Sequence, residues 1–117
     1  MSNTVLNESI LNSTKKLLGI HEDVTVFDLD IAFHINTVFA NLIQMGVGPQ
    51  AGYRISSADN VWSEFSENDL LIENVKSYVY LKVKLLFDPP TNSALISAIE
   101  SQAKELEWRM YTQKGGY

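Results

Sequence analysis

The chain has 117 residues, a length typical of one domain, and its lack of cysteine excludes disulfides and thiolate metal sites. Its composition, 45% hydrophobic and 20% charged, is that of an ordinary soluble globular protein. Nine lysines and arginines stand against fourteen aspartates and glutamates, a net charge of −5. Without a basic stripe to neutralise phosphates, the chain does not resemble a protein that grips nucleic acid.

The longest apolar runs and the N-terminus bear on the compartment. No apolar run approaches the roughly 18 residues of a membrane-spanning helix. The opening MSNTVLNES lacks the basic start and apolar centre of a signal peptide. We therefore expect an intracellular protein that does not enter a membrane.

Four helices are predicted in a single, mainly α-helical domain over residues 1–117. Gly19 follows the first helix and Gly46 the second, which Asp28 is expected to cap at its start. A flexible tail is expected at about 112–117 because it contains two consecutive glycines. The predicted helices cover residues 4–18, 28–45, 68–87 and 92–111.

The segment GVGPQAGYRISSADNVWSEFSEN between the second and third helices predicts a long loop or a short β-hairpin. Alternating polarity over residues 53–56 favours a short strand. Trp62 and Phe65 are expected to anchor the loop in the core. Since loops of this length often carry function, Tyr53, Arg54 and Ile55 are candidate contact residues.

The segment LLFDPPTNSAL predicts a rigid elbow between the third and fourth helices. Pro89 disfavours the α conformation at Asp88, and neither Pro89 nor Pro90 offers an N–H group. The third helix must therefore end near Phe87, and Thr91 or Asn92 can cap the fourth.

Three side chains project away from the face expected for their chemistry. Trp108 lies on the polar side of the fourth helix, where it either packs on another element of its own chain or belongs to a protein interface. Phe33 lies off the main apolar stripe of the second helix. Lys82 falls within the wide apolar arc of the third helix and requires either a carboxylate partner or a route to water.

No arrangement of catalytic residues is recognisable. His21 is expected in solvent, and His34 is placed to pair with Asp30 one turn earlier on the second helix. Asp28 and Asp30 point to different sides of that helix, which does not favour a paired-carboxylate mechanism. Zinc-ligand, nucleophile and phosphate-loop motifs are missing. We therefore predict a protein that is not an enzyme, with no catalytic, cofactor-binding or metal-binding residues.

Four sequence stretches nevertheless resemble one family. The run YVYLKVKLLFDPP at Tyr78–Pro90 and ELEWRM at Glu105–Met110 are similar to head–tail connector proteins. These adaptor or head-completion proteins belong to long-tailed bacteriophages and prophages of Gram-positive bacteria. The stretches ILNSTKKLLGI and GVGPQAGYRISSADNVWSEF are also similar to that family, in the same order along the chain.

The resemblance implies a structural protein of the virion neck, which is assembled in the host cytoplasm. Its copies would form a ring, a dodecamer in the particle, that docks beneath the portal protein and extends the DNA channel. DNA would pass without specific binding, and the ring would offer a platform to a tail-completion or stopper protein. The chain could remain a monomer in solution until the portal acts as a template.

The resemblance also implies that the C-terminal segment faces the portal. The residues expected at the portal or at a subunit interface are Trp108, Arg109, Tyr111, Lys114, Tyr117 and Phe33. The alternative is a small helical interaction or regulatory module encoded by a prophage, which would not need an exposed tryptophan at such an interface.

Overall fold

The computed structural model describes residues 4–113, and this part of the chain is mainly helical. The helices in chain order are α1 (Thr4–Asn7), α2 (Ile10–Leu17), α3 (Asp28–Gln44), a single 3₁₀ turn (Trp62–Glu64), α4 (Asp69–Phe87) and α5 (Ser93–Gln113). The prediction of a mainly α domain with four principal helical segments is confirmed, although the first segment is divided into α1 and α2.

Helix α4 is the centre of the domain. Helices α3 and α5 both pack along it and make little contact with each other, while α1 and α2 also contact it. Phe27 and Phe87 pair with ring centroids 5.4 Å apart, so the start of α3 lies beside the end of α4. Asn74 donates a hydrogen bond to Gln113 at 2.7 Å, so the end of α5 lies beside the start of α4. Both neighbours therefore run antiparallel to α4, and the molecule has an elbow end and an opposite end.

The core forms where α3, α4 and the long loop meet. Trp62 and Phe65 are buried, as predicted, and Phe65 stacks on Phe39 with a centroid distance of 4.6 Å. The Trp62 Nε1–H group donates to the Ser13 hydroxyl at 2.9 Å, which satisfies the polar atom of a buried indole. The loop is therefore tied to both α2 and α3 by aromatic side chains.

The prediction of one unbroken helix over residues 4–18 was wrong. Ser9 has an extended backbone, and its hydroxyl accepts from the Asn12 amide to cap α2. The amide of Trp62 donates to the carbonyl of Glu8, and the amide of Ile10 donates to the carbonyl of Asn60. The helix breaks because its backbone groups bond to the long loop instead of to the next helical turn.

The sequence predicted that Asp28 would cap α3, and this prediction was wrong. The N-cap residue is Phe27, and Asp28 is the first residue of the helix. Its carboxylate lies 2.8 Å from the ammonium of Lys15, a partner 13 positions earlier in the sequence. A distant ionic partner therefore replaces the local hydrogen bond of a capping aspartate.

No strand forms at residues 53–56, and no named strand occurs anywhere within residues 4–113. The Asn36 side chain accepts from the Ile55 amide at 2.8 Å and donates to the Ile55 carbonyl at 3.0 Å. One side-chain amide thus satisfies the backbone groups that a neighbouring strand would otherwise pair. Only an isolated antiparallel bridge, between Ser9 and Val61, occurs in the described range.

Helix α4 ends at Phe87, as the proline pair predicted, and Asn92 caps α5. Asn92 Oδ1 accepts from the amides of Ala94 and Leu95 at 2.8 and 3.3 Å. Helix α5 continues to Gln113, so the first two residues of the predicted tail are helical, while 114–117 lie outside the described residues. Across residues 4–113, no helix combines the length and apolarity that membrane crossing requires.

Candidate assembly surfaces

The elbow is held by short-range contacts around Asp88. Its backbone leaves the helical conformation at φ −145° and ψ 66°, while its amide still donates to the Lys84 carbonyl at 3.0 Å. The Lys84 ammonium also lies 3.2 Å from the Asp88 carboxylate. Together with the fixed φ of Pro89 and Pro90, these contacts restrict the angle between α4 and α5.

An aromatic cluster joins the start of α3 to the elbow. His34 packs edge-on against Phe33 and Phe87, with centroid distances of 5.7 and 6.5 Å. None of the ion pairs within residues 4–113 includes His34, so the predicted pairing with Asp30 was wrong. The imidazole packs on the aromatic rings because the end of α4 lies beside it. The sequence of α3 alone does not reveal this neighbour.

Several large apolar side chains around this cluster are exposed. Leu29 is 87% exposed and Phe33 is 68% exposed, four residues apart on one face of α3. We call the group the elbow surface; its members are Val24, Val26, Phe27, Leu29, Phe33 and Leu86. Exposed apolar side chains that are grouped in this way mark binding surfaces more often than single ones do.

Helix α5 carries the second exposed aromatic region, at the opposite end of the molecule. Trp108 is 69% exposed, and Tyr111 is about half exposed. The Arg109 guanidinium lies 3.2 Å from the Glu105 carboxylate, a pair one helical turn apart. Trp108 therefore does not pack inside its own chain, while Lys114 and Tyr117 fall outside the described residues.

The long loop presents Tyr53 and Arg54 differently from Ile55. Ile55 is buried in the core, and Arg54 is exposed. The Tyr53 hydroxyl donates to Glu64 Oε1 at 2.7 Å, and the Asn60 amide donates to the same oxygen at 2.8 Å. Burial and the adjacent Glu64 carboxylate raise the pKa of Tyr53. The hydrogen bonds from Asn60 and Tyr53 lower the pKa of Glu64.

Lys82 follows one of the two alternatives predicted for it, whereas Lys15, which the sequence did not single out, is the buried lysine. Lys82 is partly buried with its ammonium 6.0 Å from the Tyr78 ring centroid, and it takes part in no ion pair among residues 4–113. It therefore follows the route to water, over an aromatic face. Lys15 is instead fully buried, although its neighbour Lys16 is exposed. The sequence offered little warning, because Lys15-Lys16 looks like an ordinary exposed basic pair.

The remaining features that bear on chemistry are possible metal ligands, a surface cavity and His21. No group of three or more aspartate, glutamate or histidine side chains within 4–113 is placed to hold a metal ion. A surface cavity of about 650 Å³ between α2 and α4 is lined mainly by polar residues, with Lys76 and Glu8 paired at 2.8 Å. His21 is solvent-exposed, as predicted.

A comparison of the sequence with known protein families gives a match that covers most of the chain. The sequence model of the family described as "Phage connector protein" matches residues 10–116. The chain belongs to the phage connector family. Searches among curated proteins and among solved structures gave no match. The resemblance seen in the sequence is therefore confirmed at the level of the family, and the protein has a structural, connector role in the phage neck.

For a phage connector, the informative features are surfaces that can meet other head and tail proteins. The sequence singled out Trp108 and Phe33, and the structure places both in solvent at different ends of the molecule. The sequence did not single out Val24, Val26 or Leu86 as exposed residues. The alternation of Val24 and Val26 around Thr25 was the available signal, since apolar residues in a link without helical periodicity lack an obvious internal partner.

Proposed function

We propose that copies of this connector form a ring beneath the portal protein, a dodecamer in the particle, which extends the DNA channel. The ring provides the platform on which a tail-completion or stopper protein attaches. The protein acts by binding and not by catalysis, and it resides in the virion neck after assembly in the host cytoplasm. The observation that carries the proposal is the family match over residues 10–116.

The distribution of exposed apolar groups supports an assembly role. They lie at both ends of α4, which at 19 residues is about 28 Å long. A subunit in a ring must bind neighbours on two sides and the portal or the next neck protein at its ends. Exposed aromatic residues are enriched at such interfaces.

The C-terminal half of α5 and the residues after it are assigned to the portal or to a neighbouring subunit. This region contains Trp108, Arg109 and Tyr111 and continues to Lys114 and Tyr117. Arg54 and Tyr53 in the long loop are assigned to weaker contacts with neighbouring copies or with the tail side. The net charge of −5 is compatible with DNA that slides past without being bound.

Size-exclusion chromatography with light scattering tests this function, with the chain alone and with the purified portal protein of the same phage. We expect co-elution with the portal in multiple copies, whether or not the chain forms a ring by itself. Trp108→Ala serves as the interface variant and Gln102→Ala, an exposed position on the same helix, as its control. A chain that remains a monomer and ignores the portal would contradict the proposal and favour an interaction module.

A further inference from the structure

The two exposed apolar regions lie on different helices and at opposite ends of the central helix. The elbow surface is built mainly on the start of α3, beside the end of α4, whereas Trp108 lies near the end of α5, beside the start of α4. Two separate surfaces on one subunit can bind each other between copies without competing. Such a head-to-tail contact generates a closed ring when the rotation between copies permits it.

Charge distinguishes the two surfaces. Between Leu17 and Tyr53 the chain contains no lysine or arginine, and the elbow surface is therefore accompanied only by carboxylates and histidines of its own segment. Asp28 is neutralised by Lys15, but Asp30, beside Leu29, is exposed and belongs to no ion pair within residues 4–113. Leu86 comes from α4, where the nearby Lys84 is paired with Asp88. The elbow surface is thus apolar, and the unpaired charge next to Leu29 is the carboxylate of Asp30.

The outward side of α5 has the opposite character around its tryptophan. Ser97, Ser101, Lys104 and Trp108 follow one another at helical spacing and form a row that we call the α5 row; all four are exposed. Lys104 takes part in no ion pair among the described residues. Glu105 is paired with Arg109, and Glu107 is engaged inwards by the Tyr78 hydroxyl at 2.6 Å. Glu100 lies one turn further from Trp108 than Lys104 does. The charge nearest the indole on the α5 row is therefore the positive charge of Lys104.

We propose that the elbow surface of one copy binds the α5 row of the next copy, with Trp108 packed against Leu29 and Phe33. Aromatic and aliphatic anchors at the centre, with complementary charges at the margin, are the usual composition of a specific interface. This inference rests on the proposed ring and makes it specific. It assigns Trp108 to the neighbouring subunit and leaves the residues after α5 for the portal.

Two variants, each blocked at one surface, test the pairing. Leu29→Lys places a cation on the elbow surface, and Trp108→Glu places a carboxylate on the α5 row; both positions are exposed, so both variants should fold. Asn41→Lys on α3 and Gln102→Glu on α5 are controls with the same added charges at other exposed positions. Circular dichroism establishes that all four chains are folded.

Sedimentation velocity then gives the association state of each variant and of their mixtures. Each blocked variant should self-associate at least about 30-fold more weakly than the unmodified chain, while the controls behave normally. An equimolar mixture of the two blocked variants should form a one-to-one dimer, because one intact pair of surfaces remains and growth stops there. Dimerisation of Trp108→Glu alone would reveal an elbow-to-elbow contact and overturn the proposal, as would a mixture that stays monomeric while the unmodified chain associates.

If the unmodified chain associates only on the portal, cross-linking replaces sedimentation. The chain has no cysteine, so Asp30→Cys and Lys104→Cys can be introduced into separate copies, mixed on the purified portal and treated with a short bismaleimide. Asp59→Cys in the exposed loop is the control. A cross-link between positions 30 and 104 is expected; its absence overturns the inference.

The proposed function and this inference fail separately. Portal binding without the 30-to-104 cross-link would leave the connector role intact and reject the assigned surfaces. Head-to-tail pairing in a chain that ignores the portal would give the reverse result.

Discussion

The ammonium of Lys15 lies 2.8 Å from Oδ1 of Asp28, with the lysine side chain fully buried and the aspartate 30% exposed. Lys15 also donates to the carbonyl of Glu22 at 3.1 Å. One side chain thereby connects α2, the link that follows it and the first residue of α3. The same link carries Val24 and Val26, so this ion pair helps to hold part of the elbow surface in place.

Replacing Lys15 with alanine should lower the free energy of unfolding by about 3 kcal/mol, because it removes buried methylenes and leaves Asp28 without its partner. Lys15→Met should cost less, since it keeps the packing of the buried side chain, although the buried Oδ1 of Asp28 still loses its ionic partner. Chemical denaturation measures both. Lys16→Ala, at the exposed neighbour, should change stability by less than about 0.5 kcal/mol. Equal stability of Lys15→Ala and Lys16→Ala would refute a stabilising role for the buried pair.

The two tryptophans should respond in opposite ways to substitution. Trp62→Ala should lower the free energy of unfolding by about 4 kcal/mol, because the indole is fully buried and bonded to Ser13. Trp108→Ala should leave thermal stability nearly unchanged, because most of its indole is in solvent. In the folded monomer, a fluorescence quencher such as acrylamide should reach Trp108 and not Trp62. A large loss of stability in Trp108→Ala would mean that this indole packs within its own chain.

Two glycines with similar backbone angles should differ in their tolerance of alanine. Gly48 and Gly52 have φ values of +105° and +99°, so a side chain is strained at either position by about 1–2 kcal/mol. A Cβ atom at Gly48 would also clash with the ring of Phe65, whereas nothing lies within 4 Å of one at Gly52. Since Phe65 is buried against Phe39, its ring has little room to move.

Gly48→Ala should therefore be clearly less stable than Gly52→Ala in thermal denaturation. The difference between the two variants isolates the clash from the shared backbone strain. Combining Gly48→Ala with Phe65→Leu should recover part of that difference, because the branched side chain lacks the ring atoms that meet the new Cβ. Identical midpoints for the two glycine variants would contradict the packing of Phe65 over Gly48.

Stability should decline at alkaline pH through Tyr78. Burial first, and then the hydrogen bond and charge of Glu107, raise the pKa of Tyr78 above its ordinary value of about 10. A folded-state pKa above the unfolded one contributes stability that is complete below pH 10 and is lost as the pH rises towards the folded value. Tyr78→Phe removes this ionisation and should flatten the decline above pH 10, although it costs a hydrogen bond at neutral pH.

The measurement is the free energy of unfolding across pH 8 to 11 in both chains. Tyr53 carries a pKa raised for similar reasons, so Tyr53→Phe should show a related but separate effect. A Tyr78→Phe chain whose alkaline decline is as steep as that of the unmodified protein would argue against the buried Tyr78–Glu107 contact.

Residues that are close together in the sequence determined where several helices begin and end. The proline pair ends α4 because a helix cannot accommodate residues without N–H groups, and Asn92 caps α5 through its own side chain. The burial of Trp62 and Phe65 was predicted from their places in the loop, whereas the sequence placed Trp108 on the polar side of α5 and left open whether another element would cover it. The connector family was also recognisable from sequence, because its distinctive runs are continuous in the chain.

Only the tertiary structure decided the features that depend on distant partners. Helix α1 stops because the long loop takes the backbone bonds around Ser9, and residues 53–56 avoid a strand because Asn36 supplies the matching donor and acceptor. His34 turns to Phe87, and Lys15 is buried against Asp28, because packing on α4 and α3 brings those groups together. Periodicity reports which face of a helix is apolar, but it carries no information about which distant group will lie opposite. The elbow surface arises in the same way, from the meeting of α3 with the end of α4.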